Sequence, residues 1–217
     1  MIPYVPQPVF HPGPLTIHAF GVTAAAALVS GYWLALRRAR RQGLSDRYVA
    51  MLVAAIAIGG LTTGFAAHYL FIGGNAGMSS AGLAAGACLT AWILLFRTPD
   101  RWRYFDVFAF AFPVAGAIAR LGCFLAHDHI GARTDSWLGV QFPGGTRFDL
   151  GLLHFIATII VAGLIVLLSH RIRTPGILFG TMSALIGASR LLVLQSGDAL
   201  GLALMLGGIA LTAQRWR

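Results

Sequence analysis

The sequence predicts an all-α, polytopic membrane protein that forms a single domain over residues 1–217, and three observations support this. Hydrophobic residues make up 57% of the 217 residues and charged residues only 11%, whereas a soluble domain carries about 25% charged residues. The mean hydropathy is +0.75. The apolar runs contain Leu, Ala, Val, Ile and Gly without strict alternation, which favours helices over a β-barrel.

Seven apolar segments approach the length of about 20 residues that a helix needs to cross a bilayer. The first fourteen residues are Pro-rich and uncharged, so we expect them to be irregular or interfacial. They lack the basic start of a signal peptide, and the first helix is expected to act as its own insertion signal. The predicted helices are residues 15–36, 48–71, 78–96, 104–126, 150–168, 176–194 and a short seventh at 199–213.

The distribution of arginine predicts the orientation of these helices. The net charge is +9, and all 16 Lys or Arg residues are arginine. Five of them lie between the first and second predicted helices and three between the third and fourth, whereas the N-terminal tail holds none. Because arginine-rich connections stay in the cytoplasm, we expect the N-terminus outside and the C-terminus in the cytoplasm.

The same distribution bears on possible partners. No segment outside the predicted helices combines a basic patch with stacking aromatic residues, a combination that proteins use to bind single-stranded nucleic acid. Nucleic acid is therefore not an expected partner. Cys88 and Cys123 both lie in predicted helices, where we expect free, buried thiols and no disulfide.

The candidate site is residues 119–149, which join the end of the fourth predicted helix to the one sizeable polar loop, on the outer side in this orientation. His127, Asp128 and His129 are consecutive in that loop, and Arg120 precedes them within the helix. Charged groups this close to hydrocarbon are unfavourable unless they are paired or hydrated, so they are candidates for function. Arg120 has two interpretations. In the structural interpretation, Arg120 forms an ion pair with Asp128 or extends its side chain to the outer membrane interface. In the functional interpretation, it binds phosphate through its planar guanidinium.

A second arginine lies inside a predicted helix. Arg190 is near the outer end of the sixth helix, with Gln195 and Asp198 just beyond it. Two buried arginines that converge from separate helices would form an anion site. The natural ligand of such a site in a bilayer is a phospholipid headgroup.

The His127-Asp128-His129 run has two chemical interpretations. Histidine and aspartate are metal ligands, but adjacent loop residues rarely point at one ion, so we predict neither a metal nor another cofactor. A histidine oriented by a carboxylate is a general base near neutral pH, which is the better motivated role. Residues 144–149 have the composition of a turn that starts the fifth helix, and Asp149 is well placed as its N-cap.

Several stretches of the chain match motifs of one group of membrane enzymes. The stretch GAIARLGCF at 116–124 is similar to a signature Gly-Arg-Leu-Gly-Asn-Phe, with Ala119 for Gly and Cys123 for Asn. AGMS at 76–79 is similar to a Gly-Gly-Met-Ser motif, and Arg190 falls where a Phe-Arg-Ile-Ile-Val-Glu stretch carries its Arg. GPLTIHAFG at 13–21 and RRAR at 37–40 match the entry and exit of the first helix. Through these motifs the chain resembles the bacterial prolipoprotein diacylglyceryl transferase family.

This resemblance implies a multi-pass enzyme of the bacterial inner membrane. It would move a diacylglyceryl group from phosphatidylglycerol to the lipobox Cys thiol of a prolipoprotein. The resemblance implies that Arg120 and Arg190 hold the phosphate and stabilise its charge, and we expect Asp128 and His129 to complete the catalytic group. The expected substrate-binding residues are His18, Ser79, Gly122, His127, Arg147 and Asp149.

Departures from the family pattern define the alternatives. Ser80 replaces a third-helix His, Phe20 a first-helix Tyr, and Leu194 the Glu that follows the sixth-helix Arg. A later His-Pro-Ser-Gln-Leu-Tyr-Glu box becomes FDLGLLH at 148–154, and the large head region is reduced to a short loop. The chain is thus predicted to be a divergent, shortened member in which the 127–129 run and Asp149 replace the lost acid and base groups. The alternatives are a non-catalytic paralogue that binds or moves anionic phospholipid and, less favoured, a small-solute transporter.

Overall fold

The computed structural model describes residues 1–71, 73, 77–194 and 199–216. In this part of the chain there are seven α-helices. Five of them are long and apolar enough to cross a membrane, and α3 and α6 are shorter apolar helices. The helices are α1 (Ala19–Arg41), α2 (Asp46–Phe71), α3 (Ser80–Leu95), α4 (Arg101–Ala126), α5 (Leu150–Leu168), α6 (Ile177–Leu194) and α7 (Ala199–Trp216).

The predicted class, a membrane protein built from α-helices, is confirmed, while seven crossings and their orientation stay predictions. The bounds of the fifth helix match the predicted 150–168, because Asp149 caps its first turn. The first helix continues five residues beyond the predicted end at 36 and includes Arg38, Arg40 and Arg41 in its last turn. Arginine favours helix formation and its positive charge suits a helix C-terminus, so the apolar run marks the membrane segment and not the end of the helix.

Helix α4 is central, because it packs against α1, α5 and α6. The pairs α2–α3 and α6–α7 form two further extensive contacts, and small residues make both of them close. A Cβ atom on Gly86 would lie 2.5 Å from the carbonyl oxygen of Gly59, and one on Gly208 would lie 2.4 Å from that of Gly180. Small residues allow this approach of helix backbones in membrane proteins.

One end of the bundle, here called the arginine end, contains the end of α1, the starts of α2, α4 and α6, and the end of α5. Asp106 is buried near the start of α4 and accepts hydrogen bonds from the backbone N–H groups of Gly176 (2.7 Å) and Phe179 (2.9 Å). Asp106 therefore caps the start of α6 from another helix and fixes the two elements at the same level.

The opposite end, here called the sheet end, contains six short strands. These are β1 (Ile2–Pro3), β2 (Val9–Phe10), β3 (Ile17–His18), β4 (Ile130–Arg133), β5 (Val140–Phe142) and β6 (Gly145–Asp149). They form a four-stranded sheet in the order β1-β5-β6-β4 and a β2-β3 hairpin. Most of residues 1–14 lies outside the strands, in agreement with the irregular segment predicted as one of two possibilities, but β1 and β2 were not predicted. The prediction of a simple turn at 144–149 is wrong, because residues 145–149 form β6. The pairing of Ile2 with Val140 joins distant parts of the chain, which local sequence patterns do not reveal.

Candidate functional site

His127 joins three elements at the sheet end. It ends α4 in the left-handed conformation, with φ of 50°. Its Nδ1 lies 2.6 Å from Oδ2 of Asp149, and its Nε2 lies 3.0 Å from the carbonyl oxygen of Val5. A carbonyl oxygen and a carboxylate oxygen both only accept, so each ring nitrogen of His127 donates, Nε2–H to Val5 and Nδ1–H to Asp149. The rings of Tyr4, Phe124 and Phe142 surround the imidazole.

Asp149 is fully buried and uses both carboxylate oxygens. Oδ1 accepts a hydrogen bond of 3.2 Å from the backbone N–H of Leu152, and Oδ2 contacts His127. The predicted N-cap is thereby confirmed. His127 and Asp149, which we expected to bind substrate, use these polar atoms to hold the N-terminal segment, α4 and α5 together.

Asp128 and His129 form a separate pair that is more exposed. The Oδ1 atom of Asp128 lies 2.6 Å from Nδ1 of His129. The pKa of His129 is raised, chiefly by the hydrogen bond to Asp128 and also by the negative charge of Asp128. Partial burial and the positive charge of Arg120 act in the opposite direction and lower it. Within the described residues, the ion pair of Asp128 is with His129 and not with Arg120, so the structural ion pair considered for Arg120 is not formed.

Arg120 is half-buried on α4, one turn before Cys123. The Cys123 thiol lies beside both the Arg120 guanidinium and the Asp128 carboxylate. We call Arg120, Cys123, Asp128 and His129 the Arg120 cluster. The sequence analysis did not assign Cys123 to the site, although its position in place of the signature Asn was the available signal.

An open groove of about 600 Å³ lies beside the Arg120 cluster. Two predicted site residues, His18 and Asp128, line it. His18 is held there because β3 pairs with β2, with Val9 opposite His18. The other lining residues are Gln7, Thr16, Ile17, Phe20, Gly21 and Ala126. The groove is therefore formed by the N-terminal hairpin, the start of α1 and the end of α4.

Gly122 allows α1 and α4 to approach each other below this groove. A Cβ atom at this position would lie 2.1 Å from Oγ1 of Thr23 and 3.3 Å from the Phe20 ring. Thr23 is itself fixed, because its hydroxyl donates to the carbonyl oxygen of Phe20 at 2.9 Å. Gly122, predicted to bind substrate, is in the structure a packing residue directly beneath the site.

Two other predicted substrate-binding residues lie outside the Arg120 cluster. Arg147 is on β6, where its Nη1 donates to the carbonyl oxygen of Gly131 at 3.3 Å. Ser79 is the N-cap of α3: its hydroxyl accepts from Gly82 N–H at 3.2 Å, and its own N–H donates to Gly64 at 3.0 Å. These polar groups stabilise the sheet and the α2–α3 pair.

Residue counting along α4 and α6 gives Arg120 and Arg190 a similar distance from the level of Asp106. The two helices are fixed at one level where Asp106 caps α6, and α6 packs against α4 next to that level, at Ala109 and Phe110. Arg120 is fourteen residues beyond Asp106 and Arg190 thirteen beyond Ile177. At 1.5 Å per residue, both lie about 20 Å from that level, toward the sheet end.

Fold and site together define a class: a multi-pass helical membrane protein with an arginine, a thiol and a carboxylate–imidazole pair grouped beside a groove at one end. The family model described as prolipoprotein diacylglyceryl transferase matches residues 7–212. The chain belongs to this transferase family, and the resemblance noted in its motifs is confirmed.

Curated relatives agree with this assignment over most of their length. The chain is similar to the phosphatidylglycerol–prolipoprotein diacylglyceryl transferase of Symbiobacterium thermophilum, with 26% identity over 83% of this chain and 77% of the relative. The enzyme of that name from Tolumonas auensis is also 26% identical, over 83% of this chain and 78% of the relative. The one from Mesorhizobium japonicum is 24% identical, over 83% and 74% respectively.

Proposed function

We propose that this protein transfers the diacylglyceryl group of phosphatidylglycerol to the Cys thiol of a lipobox-containing prolipoprotein, in the bacterial inner membrane. The observation that supports this most directly is the Arg120 cluster beside an open groove, in a chain of this family. The relatives are named for the same two substrates.

The reaction forms a bond between the acceptor sulfur and a glycerol carbon and breaks the bond from that carbon to a phosphate oxygen. Glycerol phosphate leaves with the electron pair, and the thiol proton needs an acceptor. In this proposal His129 is the acceptor. With Nδ1–H donated to Asp128 at 2.6 Å, the neutral ring keeps its lone pair on Nε2 and takes the proton there.

Arg120 and Arg190 are proposed to bind the phosphate and stabilise the charge that develops on the leaving group. A guanidinium presents a planar pair of donors that matches two phosphate oxygens. Their similar distance from the level of Asp106 along α4 and α6 supports a shared ligand. Fixed positive charge in a half-buried site lowers the barrier because it needs no rearrangement during the reaction.

The groove gives the substrates a place beside the Arg120 cluster. Its position between the N-terminal hairpin and the end of α4 supports entry of a headgroup or an acceptor peptide next to His18 and Asp128. We propose that Gly122, His127 and Asp149 act by holding the walls of this site. Arg147 is proposed to support the neighbouring sheet, and Ser79 the α2–α3 pair, away from the groove.

Mass spectrometry of a lipobox peptide tests the proposal directly. The purified protein, incubated with the peptide and phosphatidylglycerol, is expected to form a diacylglyceryl thioether. Arg120→Ala and Arg190→Ala are each expected to lower the rate by about 10²-fold or more, because each removes a donor to the developing charge. Arg133→Ala, at an exposed position of β4, is the matched control and should retain activity.

Two outcomes would contradict the proposed function. Full growth with Arg120→Ala, in cells depleted of their normal transferase, would exclude the role of that arginine. Phospholipid that stays bound through purification while no thioether forms would instead identify a lipid-binding paralogue. The replacement of family residues by Ser80 and Leu194 is the observation that favours this second candidate.

A further inference from the structure

A cavity of about 320 Å³ lies at the arginine end, far from the Arg120 cluster. The ends of α1 and α5 and the starts of α4 and α6 enclose it. Four guanidinium groups line it, from Arg38, Arg41, Arg103 and Arg173, and Asp106 is the only acidic side chain among its described lining residues. The cavity therefore carries an excess of positive charge.

The single carboxylate does not neutralise this charge. Both oxygens of Asp106 already accept hydrogen bonds from the backbone of α6. Arg103 pairs with the exposed Asp100 at 3.2 Å and also donates to the carbonyl oxygen of Gln42. For Arg41 and Arg173, the described part of the chain offers no hydrogen bond or ion pair.

Unpaired polar atoms are buried at the wall of this cavity. Arg38 donates from Nη2 to the carbonyl oxygen of Ser169 at 3.3 Å and lies over the Phe110 ring. Its Nε, however, is buried and has no hydrogen-bond partner among the described residues, and the same holds for Oε1 of Gln42. Buried polar atoms without partners are unfavourable, so the residues at this wall carry a donor and an acceptor that the described part of the protein does not satisfy.

We propose that this cavity binds the phosphate of an anionic phospholipid headgroup. A phosphate supplies acceptor oxygens for the guanidinium groups of Arg41 and Arg173, which have no partner among the described residues. Basic cavities between membrane helices bind such headgroups. Arginine at one end of the bundle follows from membrane insertion alone, but four arginines around one cavity, whose acidic residue Asp106 already accepts two backbone hydrogen bonds, do not.

Native mass spectrometry of the full-length protein, delipidated in detergent, tests this site. A background carrying both Arg120→Ala and Arg190→Ala removes the two guanidinium groups of the phosphate site proposed at the opposite end. Phosphatidylglycerol is then titrated into this protein and into versions carrying Arg173→Gln or Arg171→Gln. Both arginines are exposed on the same α5–α6 turn, but only Arg173 lines the cavity. Arg173→Gln should weaken binding about tenfold, and Arg171→Gln should leave it unchanged.

Arg38→Gln, compared at equal helix content, should weaken binding at least as much as Arg173→Gln. Phosphatidylcholine, which has no net charge, serves as the reference lipid and is expected to bind at least about tenfold more weakly. Inorganic phosphate that binds alone and displaces phosphatidylglycerol would support the phosphate site and assign its source to a soluble anion. Equal binding of phosphatidylglycerol by Arg173→Gln and Arg171→Gln would overturn the proposal.

Discussion

The three consecutive polar residues at 127–129 perform two different tasks. The left-handed conformation of His127 turns the chain at the end of α4, so its ring points back to Asp149 and Val5. Asp128 and His129 pair with each other and remain partly exposed, with Asp128 at the groove. One backbone angle therefore separates the residue that stabilises the loop from the pair that is available for chemistry.

The pH dependence of transfer reports on the Asp128–His129 pair. Asp128 raises the pKa of His129 above the ordinary value of about 6.5, and only the neutral ring accepts a proton. The transfer activity should therefore rise with pH as His129 loses its proton, and the midpoint of this acidic limb of the pH–activity profile should lie above pH 6.5. In Asp128→Asn the pKa falls, so the limb in kcat/KM should move to lower pH, and the maximal rate should fall about tenfold.

The matched control for this substitution is Asp135→Asn. Asp135 is exposed in the loop between β4 and β5, so its removal should leave both the limb and the rate unchanged. An unchanged limb in Asp128→Asn would show that His129 is not the titrating base. If the pH limb moved equally in Asp128→Asn and Asp135→Asn, the shift would come from the change in net charge and not from the contact between Asp128 and His129.

Asp149 is expected to be the most sensitive residue for stability at the sheet end. Asp149→Ala leaves His127 Nδ1 and Leu152 N–H without partners, and loss of one member of a buried pair lowers the free energy of unfolding by about 3 kcal/mol. Asp149→Asn keeps an acceptor for Leu152 and offers a donor to His127, so its loss should be about 1 kcal/mol. Unfolding in mixed detergent micelles measures both, and equal losses would contradict this account.

At the scale of elements, α4 connects the two ends of the molecule. It carries Asp106, which caps α6 at the arginine end, and Arg120 near the sheet end. It also continues through Pro113, which is fully buried. A proline inside a helix removes a backbone donor, and neighbouring helices make such residues tolerable in membranes. The contacts of α4 with α1, α5 and α6 provide this support.

The approach of α1 to α4 gives a prediction for a single methyl group. In Gly122→Ala the new Cβ would lie 2.1 Å from Thr23 Oγ1, so the helices must separate. We expect a loss of about 1–3 kcal/mol in the free energy of unfolding, together with reduced transfer activity. Thr23→Ala removes the nearest atom and should restore part of both in the double variant.

Gly163→Ala is the control for this effect. It lies on α5, where an added Cβ meets no atom within 4 Å, so the change in unfolding free energy should stay within about 0.5 kcal/mol. If Gly122→Ala were as stable and as active as Gly163→Ala, close packing of α1 on α4 would not control the site.

For the whole molecule, charge is distributed unevenly between the two ends. The arginine end holds the 37–41 cluster, Arg97, Arg101, Arg103, Arg171 and Arg173, whereas the sheet end holds Arg133 and Arg147. This asymmetry predicts that the arginine end faces the cytoplasm and the sheet end lies outside.

Thiol labelling with a membrane-impermeant reagent tests this orientation. In a chain carrying Cys88→Ala and Cys123→Ala, a cysteine introduced by Ser136→Cys, between β4 and β5, should react in intact spheroplasts. A cysteine introduced by Arg171→Cys should react only after lysis. The reverse pattern would invert the orientation and move the proposed site to the cytoplasmic face.

Local signals predicted most of the elements but only part of the site. Apolar runs located the helices, and the position of Asp149 before an apolar run predicted its N-cap role. The pairing of β1 with β5 was missed because it joins residues at opposite parts of the chain. The locally paired strands were missed because runs of two to five residues are too short for a clear alternating pattern. The pairing of Asp128 with His129 instead of Arg120 depends on the turn at His127, for which the sequence has no clear marker.

The sequence by itself determined the membrane class, the helices and the family, because hydrophobic runs and short motifs are local properties of a chain. The tertiary structure alone decided which polar side chains share a site. It directed His127 and Asp149 to each other, brought Cys123 beside Arg120 and Asp128, and enclosed four arginines around one cavity. The physical reason is that helix packing and strand pairing determine these contacts, and both join residues that are distant in the chain.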